Sequence, residues 1–160
     1  MIQLSGNATR IYAVHVNGRD NDEFRAFVEK HKGLYSDEIT DILKRLKVIG
    51  TREGARAHYF KQAEGLPGDL VCALYDLEEA RLRLYCIRLG SDVIILGGGA
   101  DKPPDIRAWQ EKDDLKTAAK LMIRVSKDFL ERIREKEIRI DDSTNRLVGN
   151  LEFGDDDDED

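Results

Sequence analysis

At 160 residues, with 36% charged and 41% hydrophobic residues, the chain has the length of one domain with a single core. No apolar run approaches the ~20 residues that span a bilayer, and the start, MIQLSGNATRIYAV, lacks a basic stretch followed by an apolar block. Neither a membrane span nor a secretory signal is read, so the cytoplasm is the expected compartment. The net charge of −6 is unevenly spread, because DDDDED at 155–160 carries six acids and leaves a neutral body. A neutral body can still hold a basic patch. Residues 1–153 are read as one domain, and 154–160 as an acidic, disordered tail.

In chain order, IQL and RIYAVHV flank the turn signal S5-G6-N7 and read as a β-hairpin. Asp20 and Glu23 form a D-x-x-E capping box, after which Phe24, Phe27 and Val28 recur at helical spacing up to Lys32-Gly33. A second helix starts at Ser36, carries Ile39, Ile42, Leu43 and Leu46 on one face, and stops at Gly50. The short link makes the pair an antiparallel helical hairpin. AHYFKQ, LVCALYD, RLRLYCIRL and DVIIL then read as four strands, broken by G65-L66-P67-G68, LEEA and GS-D. Links that short suit antiparallel neighbours. From Glu111 to Lys136 the pattern is one long amphipathic helix, with Leu115, Met122 and Phe129 seven apart and a candidate break near Ser126. That stripe suits a coiled-coil seam, or packing on the sheet or a partner. EIRIDDSTNRLVGNLEF suggests a short strand or two.

Cys72 and Cys86 sit in apolar surroundings without a C-x-x-C pair and read as reduced, buried residues. His15, His31 and His58 show no i, i+4 pairing, so no metal site is expected. VIILGGGADKPP at 93–104 poses the question of a phosphate loop. A P-loop needs a lysine and a hydroxyl residue opening a helix after its glycines. Here Ala100-Asp101-Lys102 and two prolines follow, and proline pushes the residue before it out of the α region. No nucleotide cofactor is expected. The glycines read as the frayed end of a strand, where missing side chains let another segment or a ligand come close, or equally as a plain flexible exit from it.

The order of hairpin, two antiparallel helices and antiparallel meander, with R83-L84-Y85-C86-I87-R88 and VIILGGGADK, resembles the RelE/ParE/HigB family of toxin–antitoxin toxins. The resemblance covers roughly residues 10–104. It implies an α+β fold, a RelE-like antiparallel sheet packed against an N-terminal helical hairpin, to which this chain adds its long C-terminal helix. It also implies an mRNA-cleaving, ribosome-associated endoribonuclease neutralised by a cognate antitoxin, often a helix-turn-helix protein. Two features depart from the family pattern. Asp101-Lys102 stands where many members have a basic pair, and LVCALYD has no basic residue where ribonuclease members have several.

Cleavage through a ribose 2′-hydroxyl needs a base, a cation for the phosphate charge and help for the leaving oxygen. Period two places Arg81, Arg83 and Tyr85 on one strand face, and Leu82, Leu84 and Cys86 on the other with Arg88. With the aliphatic face against the helices, the Arg-Arg-Tyr face is expected to be open. Arg83, Tyr85 and His58 are the candidate catalytic residues; Arg81, Lys61, Arg88 and Lys102 are the candidate RNA contacts. Cross-strand pairing with acids accounts equally well for exposed strand arginines.

Three functions compete: a RelE-like endoribonuclease toxin; a toxin-fold protein that binds a protein or nucleic-acid partner without catalysis; and a structural module dimerising through 111–136. The tail offers one further reading, in which DDDDED folds back on the arginine face as a phosphate mimic.

Overall fold

In a computed structural model, residues 4–61, 70–74, 81–101 and 113–153 are described. The chain is an α+β protein. The expected Ile2-Gln3 strand, the breaks at 65–68 and 77–80, Lys102 with the prolines after it, and the acidic tail lie outside the described residues.

Strand β1 (Arg10–Ala13) leads into helix α1 (Glu23–His31) and helix α2 (Ser36–Val48). Strands β2 (Phe60–Lys61), β3 (Val71–Leu74), β4 (Leu82–Leu89) and β5 (Val93–Asp101) follow, then helix α3 (Asp113–Arg134) and a small hairpin, β6 (Ile138–Ile140) and β7 (Leu147–Gly149). The main sheet has the order β1-β5-β4-β3-β2. All its pairs are antiparallel except β1 with β5, which run parallel from Arg10 opposite Val93 to Ala13 opposite Leu96. The expected N-terminal hairpin is therefore corrected. Leu4 is outside any strand, and β1 reaches the sheet by pairing with β5. Its outer edge is partly closed by Ser5, whose hydroxyl donates to the Ile11 carbonyl at 3.0 Å and accepts the Ile11 N–H at 2.8 Å.

The helical hairpin forms as its sequence requires, with shifted caps. Asp22 caps α1 by accepting the Arg25 N–H at 2.8 Å. Ser36 is the first residue of α2 and Tyr35 holds the cap position. Gly50 does not stop α2. The helix loosens into a π turn over Ile49–Glu53 and ends at Gly54, whose φ is 80°. A side chain at Gly50 would collide with the Leu4 carbonyl, so this glycine lets the N-terminal segment lie against the turn.

Phe24, Phe27, Ile39, Leu46 and Ile49 pack on one face of the sheet with Leu82, Leu84, Cys86, Ile94 and Leu96. α3 packs on the other. Leu115, Ala119, Met122 and Phe129 form a second core with Val71, Tyr85, Ile87, Val93 and Ile95. The seven-spaced stripe is thus used within the chain, which removes the sequence basis for a dimer seam over 111–136. α3 is unbroken at Ser126, whose buried hydroxyl accepts the Leu70 N–H at 3.1 Å.

The three glycines lie inside β5, not at a frayed strand end. Leu84 pairs with Gly99 and Cys86 with Leu96, so Gly97 and Gly98 together oppose Tyr85 in a β-bulge. A methyl group at Gly97 would overlap the Met122 side chain of α3; one at Gly99 would overlap the Arg83 carbonyl on β4. Gly98 faces Glu23 at the start of α1, at ordinary contact distance. Met122 has rotatable bonds and can give way, whereas a paired strand backbone cannot. Gly99→Ala is expected to destabilise the fold by about 3 kcal/mol and Gly97→Ala by about 1 kcal/mol, measured by urea unfolding. Equal losses at the two positions would contradict this assignment.

Candidate nucleic-acid interface

Two of the three residues placed on the expected open face are buried. Arg83 and Tyr85 do share a face, as strand periodicity demands, but it is covered: Tyr85 packs in the α3 core at 0% exposure and Arg83 is 6% exposed. The expectation of an uncovered Arg-Arg-Tyr surface is corrected, because helices pack on both sides of the sheet. Arg81 alone of the three is exposed. It precedes β4, where the Glu38 carboxylate accepts the N–H groups of Arg81 at 2.8 Å and Leu82 at 3.2 Å. The tail as a cover for the arginine face loses its basis too, since α3 already occupies that place.

His58 and Lys61 lie at the far edge of the sheet, Lys61 level with Tyr85 through Ala73, and Arg88 lies near the other end of β4. The 3-10 turn Ala57–Tyr59 carries His58 in an exposed position, with its ring 4.2 Å from that of Tyr59 between centroids. Lys61 is exposed on β2, opposite Ala73. Arg88 is half-buried; its Nε donates to the Ala55 carbonyl at 2.6 Å, and its guanidinium lies 5.8 Å from the Phe60 ring centroid. Arg88 thus ties β4 to the segment that carries His58.

That segment is strongly basic. Between Lys44 and Lys61 the chain carries Lys44, Arg45, Lys47, Arg52, Arg56 and Lys61 against a single acid, Glu53. Lys44, Lys47, Arg52 and Arg56 are exposed. Arg56 approaches Glu53 at 3.8 Å and Arg45 bonds Asp41 at 2.6 Å. Lys44, Lys47, Arg52 and Lys61 make no ion pair among the described residues. The π turn and the 3-10 turn carry the charge from the end of α2 to the sheet edge. The bias was visible as a charge run. A charge run by itself is ordinary for a solvated face, and only the fold shows these cations on one anchored segment.

Two further groupings arise only from the fold. Cys72 and Cys86 face each other across β3 and β4, with Sγ atoms 3.7 Å apart and both side chains fully buried. The neighbouring Cys72 and burial push the Cys86 thiol well above its ordinary pKa. Both cysteines are expected to resist iodoacetamide at pH 8 in the native protein and to react only on unfolding, as mass spectrometry would show; native labelling at either would contradict the packing. His31 is buried between Phe27 and Tyr35, and the Tyr35 hydroxyl donates to Asp101 at 3.4 Å.

Among the described residues no group of three or more His, Cys, Asp or Glu side chains is placed to hold a metal ion, and no helix is long and apolar enough to cross a membrane. No family model matches the chain, and comparison with curated proteins finds no match.

The geometry separates structural residues from surface ones. Tyr85→Ala is expected to cost about 3–5 kcal/mol of stability. His58→Ala should change it by less than about 0.5 kcal/mol. Chemical unfolding of the two variants checks this; a stable Tyr85→Ala protein would mean that the α3 layer is misplaced.

Proposed function

We propose that this chain is a non-catalytic, RelE-like binding protein that engages the phosphate backbone of RNA through the basic surface over residues 44–61. The observation that carries this reading is the six-to-one excess of basic residues there, with Lys44, Lys47, Arg52, Arg56 and Lys61 all exposed. Exposed cations close together neutralise several phosphates at once and release their counterions. Burial of Arg83 and Tyr85 supports binding over cleavage, because a buried guanidinium does not reach a scissile phosphate. The RelE-like part of the proposal rests on the chain order of strand, helical hairpin and meander together with the Arg83–Arg88 strand. A cognate antitoxin and the ribosome are the partners that the resemblance suggests.

A second reading, RNA cleavage, is favoured by one observation. His58 is exposed on the same basic surface, where a neutral imidazole can take the 2′-hydroxyl proton.

Arg52→Gln, Arg56→Gln and Lys61→Gln combined should weaken binding to single-stranded RNA at least tenfold at 50 mM KCl. The slope of log K against log salt should become shallower by about 2, followed by fluorescence anisotropy. Undiminished affinity would overturn the assigned surface. Induced expression with mapping of mRNA ends separates the two readings. No new ends are expected; new ends that vanish in His58→Ala would establish the cleavage reading instead.

A further inference from the structure

The solvent face of α3 carries a second cationic track, on the other side of the sheet from α2. Residues 115–127, LKTAAKLMIRVSK, contain Lys116, Lys120, Arg124 and Lys127 and no acid. At 100° per residue these four fall within an arc of about 80°, and they extend along about 17 Å of helix axis. Lys120, Arg124 and Lys127 are exposed and Lys116 is half-buried. Lys116, Lys120 and Lys127 make no ion pair among the described residues.

We propose that this face of α3 is a sequence-independent binding site for the sugar–phosphate backbone of double-stranded nucleic acid. Three observations choose that ligand. First, a basic amphipathic helix can also lie on an anionic membrane, but it must then insert its apolar face. Here that face is spent on the sheet: Leu115, Met122 and Phe129 are buried in the second core. Second, no aromatic residue accompanies the four cations over 115–127. The track therefore has no platform for stacking unpaired bases, which single-strand binders use. Third, the cations are held at fixed spacing by a helix packed along the sheet. A duplex offers one phosphate charge per about 1.7 Å of its axis, so a straight row of cations about 17 Å long can engage several without deforming it. The inference does not depend on the 44–61 surface, whose Lys44 and Lys47 are carried by α2 on the opposite layer.

The test uses the full chain and 20-base-pair duplexes of mixed sequence, one of RNA and one of DNA, from 50 to 200 mM KCl. Lys120→Gln, Arg124→Gln and Lys127→Gln combined should weaken duplex binding at least tenfold at 50 mM and flatten the salt slope by about 3. If both duplexes respond alike, the ligand is the shared phosphodiester backbone; if only one responds, it names the nucleic acid. Unchanged affinity and slope would overturn the proposal. So would wild-type protein that ignores duplexes yet floats with vesicles containing phosphatidylserine. Should the variant not fold, acetylation of lysines in the wild-type protein decides. Bound duplex should protect Lys120 and Lys127 relative to Lys30 and Lys32, and equal labelling would sink the idea. Loss of binding in the Arg52/Arg56/Lys61 variant but not in the α3 variant would leave the proposed function standing and remove this one. The reverse result would do the opposite.

Discussion

The fold depends on how closely β5 approaches its neighbours. Gly99 lies against the Arg83 carbonyl of β4 with no room for a methyl group, and Gly97 gives its space to Met122 of α3. The bulge between them puts two residues of β5 opposite Tyr85 and resets the strand's alternation. Ala100 therefore joins the α3 core while Asp101 turns to the other face, where Tyr35 reaches it. A side chain at Gly97 would displace Met122 of α3, and one at Gly99 would push β5 from β4.

Covering both faces decides where chemistry can occur. A sheet with one solvated face displays every second residue of its strands. A sheet between helix layers displays none along its middle, and its polar groups act at strand ends, in connecting turns and on the outer faces of helices. Arg83 and Tyr85 are withdrawn into the packing. Exposed charge is left at the end of α2 with the turns beyond it, and on the back of α3. Lys44 and Lys47 lie on the opposite layer from the α3 cations because α2 and α3 pack on opposite faces, and Lys61 stands on the edge strand between them.

The turns after α2 anchor the first of these regions. Ser91, in the turn between β4 and β5, accepts the Thr9 hydroxyl at 2.8 Å and the Ala55 N–H at 3.1 Å through its carbonyl. Arg88 holds the Ala55 carbonyl from the other side. A segment that looks like loop by composition is thereby fixed to β4 and to the turn that follows it. Its exposed cations sit on a positioned backbone, which lowers the ordering cost of meeting a polyanion.

Much of the local structure was legible in the residues. Helical spacing gave α1, α2 and α3 to within a few residues, because burying one face of a helix imposes a period that few other constraints imitate. Alternation placed Arg83 with Tyr85 and Leu82 with Leu84, and short links gave the antiparallel pairs β3-β4 and β4-β5. What alternation could not say is which face would be covered, since a period of two describes two faces equally. The seven-spaced stripe of α3 showed that an apolar surface needed a partner without naming the sheet as that partner. The parallel pairing of β1 with β5, the bulge at Gly97-Gly98 and the meeting of Cys72 with Cys86 join residues far apart in the chain, and no local pattern encodes them. The sequence by itself determined the elements and their amphipathic faces, because these follow from neighbours a few residues away. Only the tertiary structure decided which polar residues reach water, because burial is set by whatever the rest of the chain lays on top.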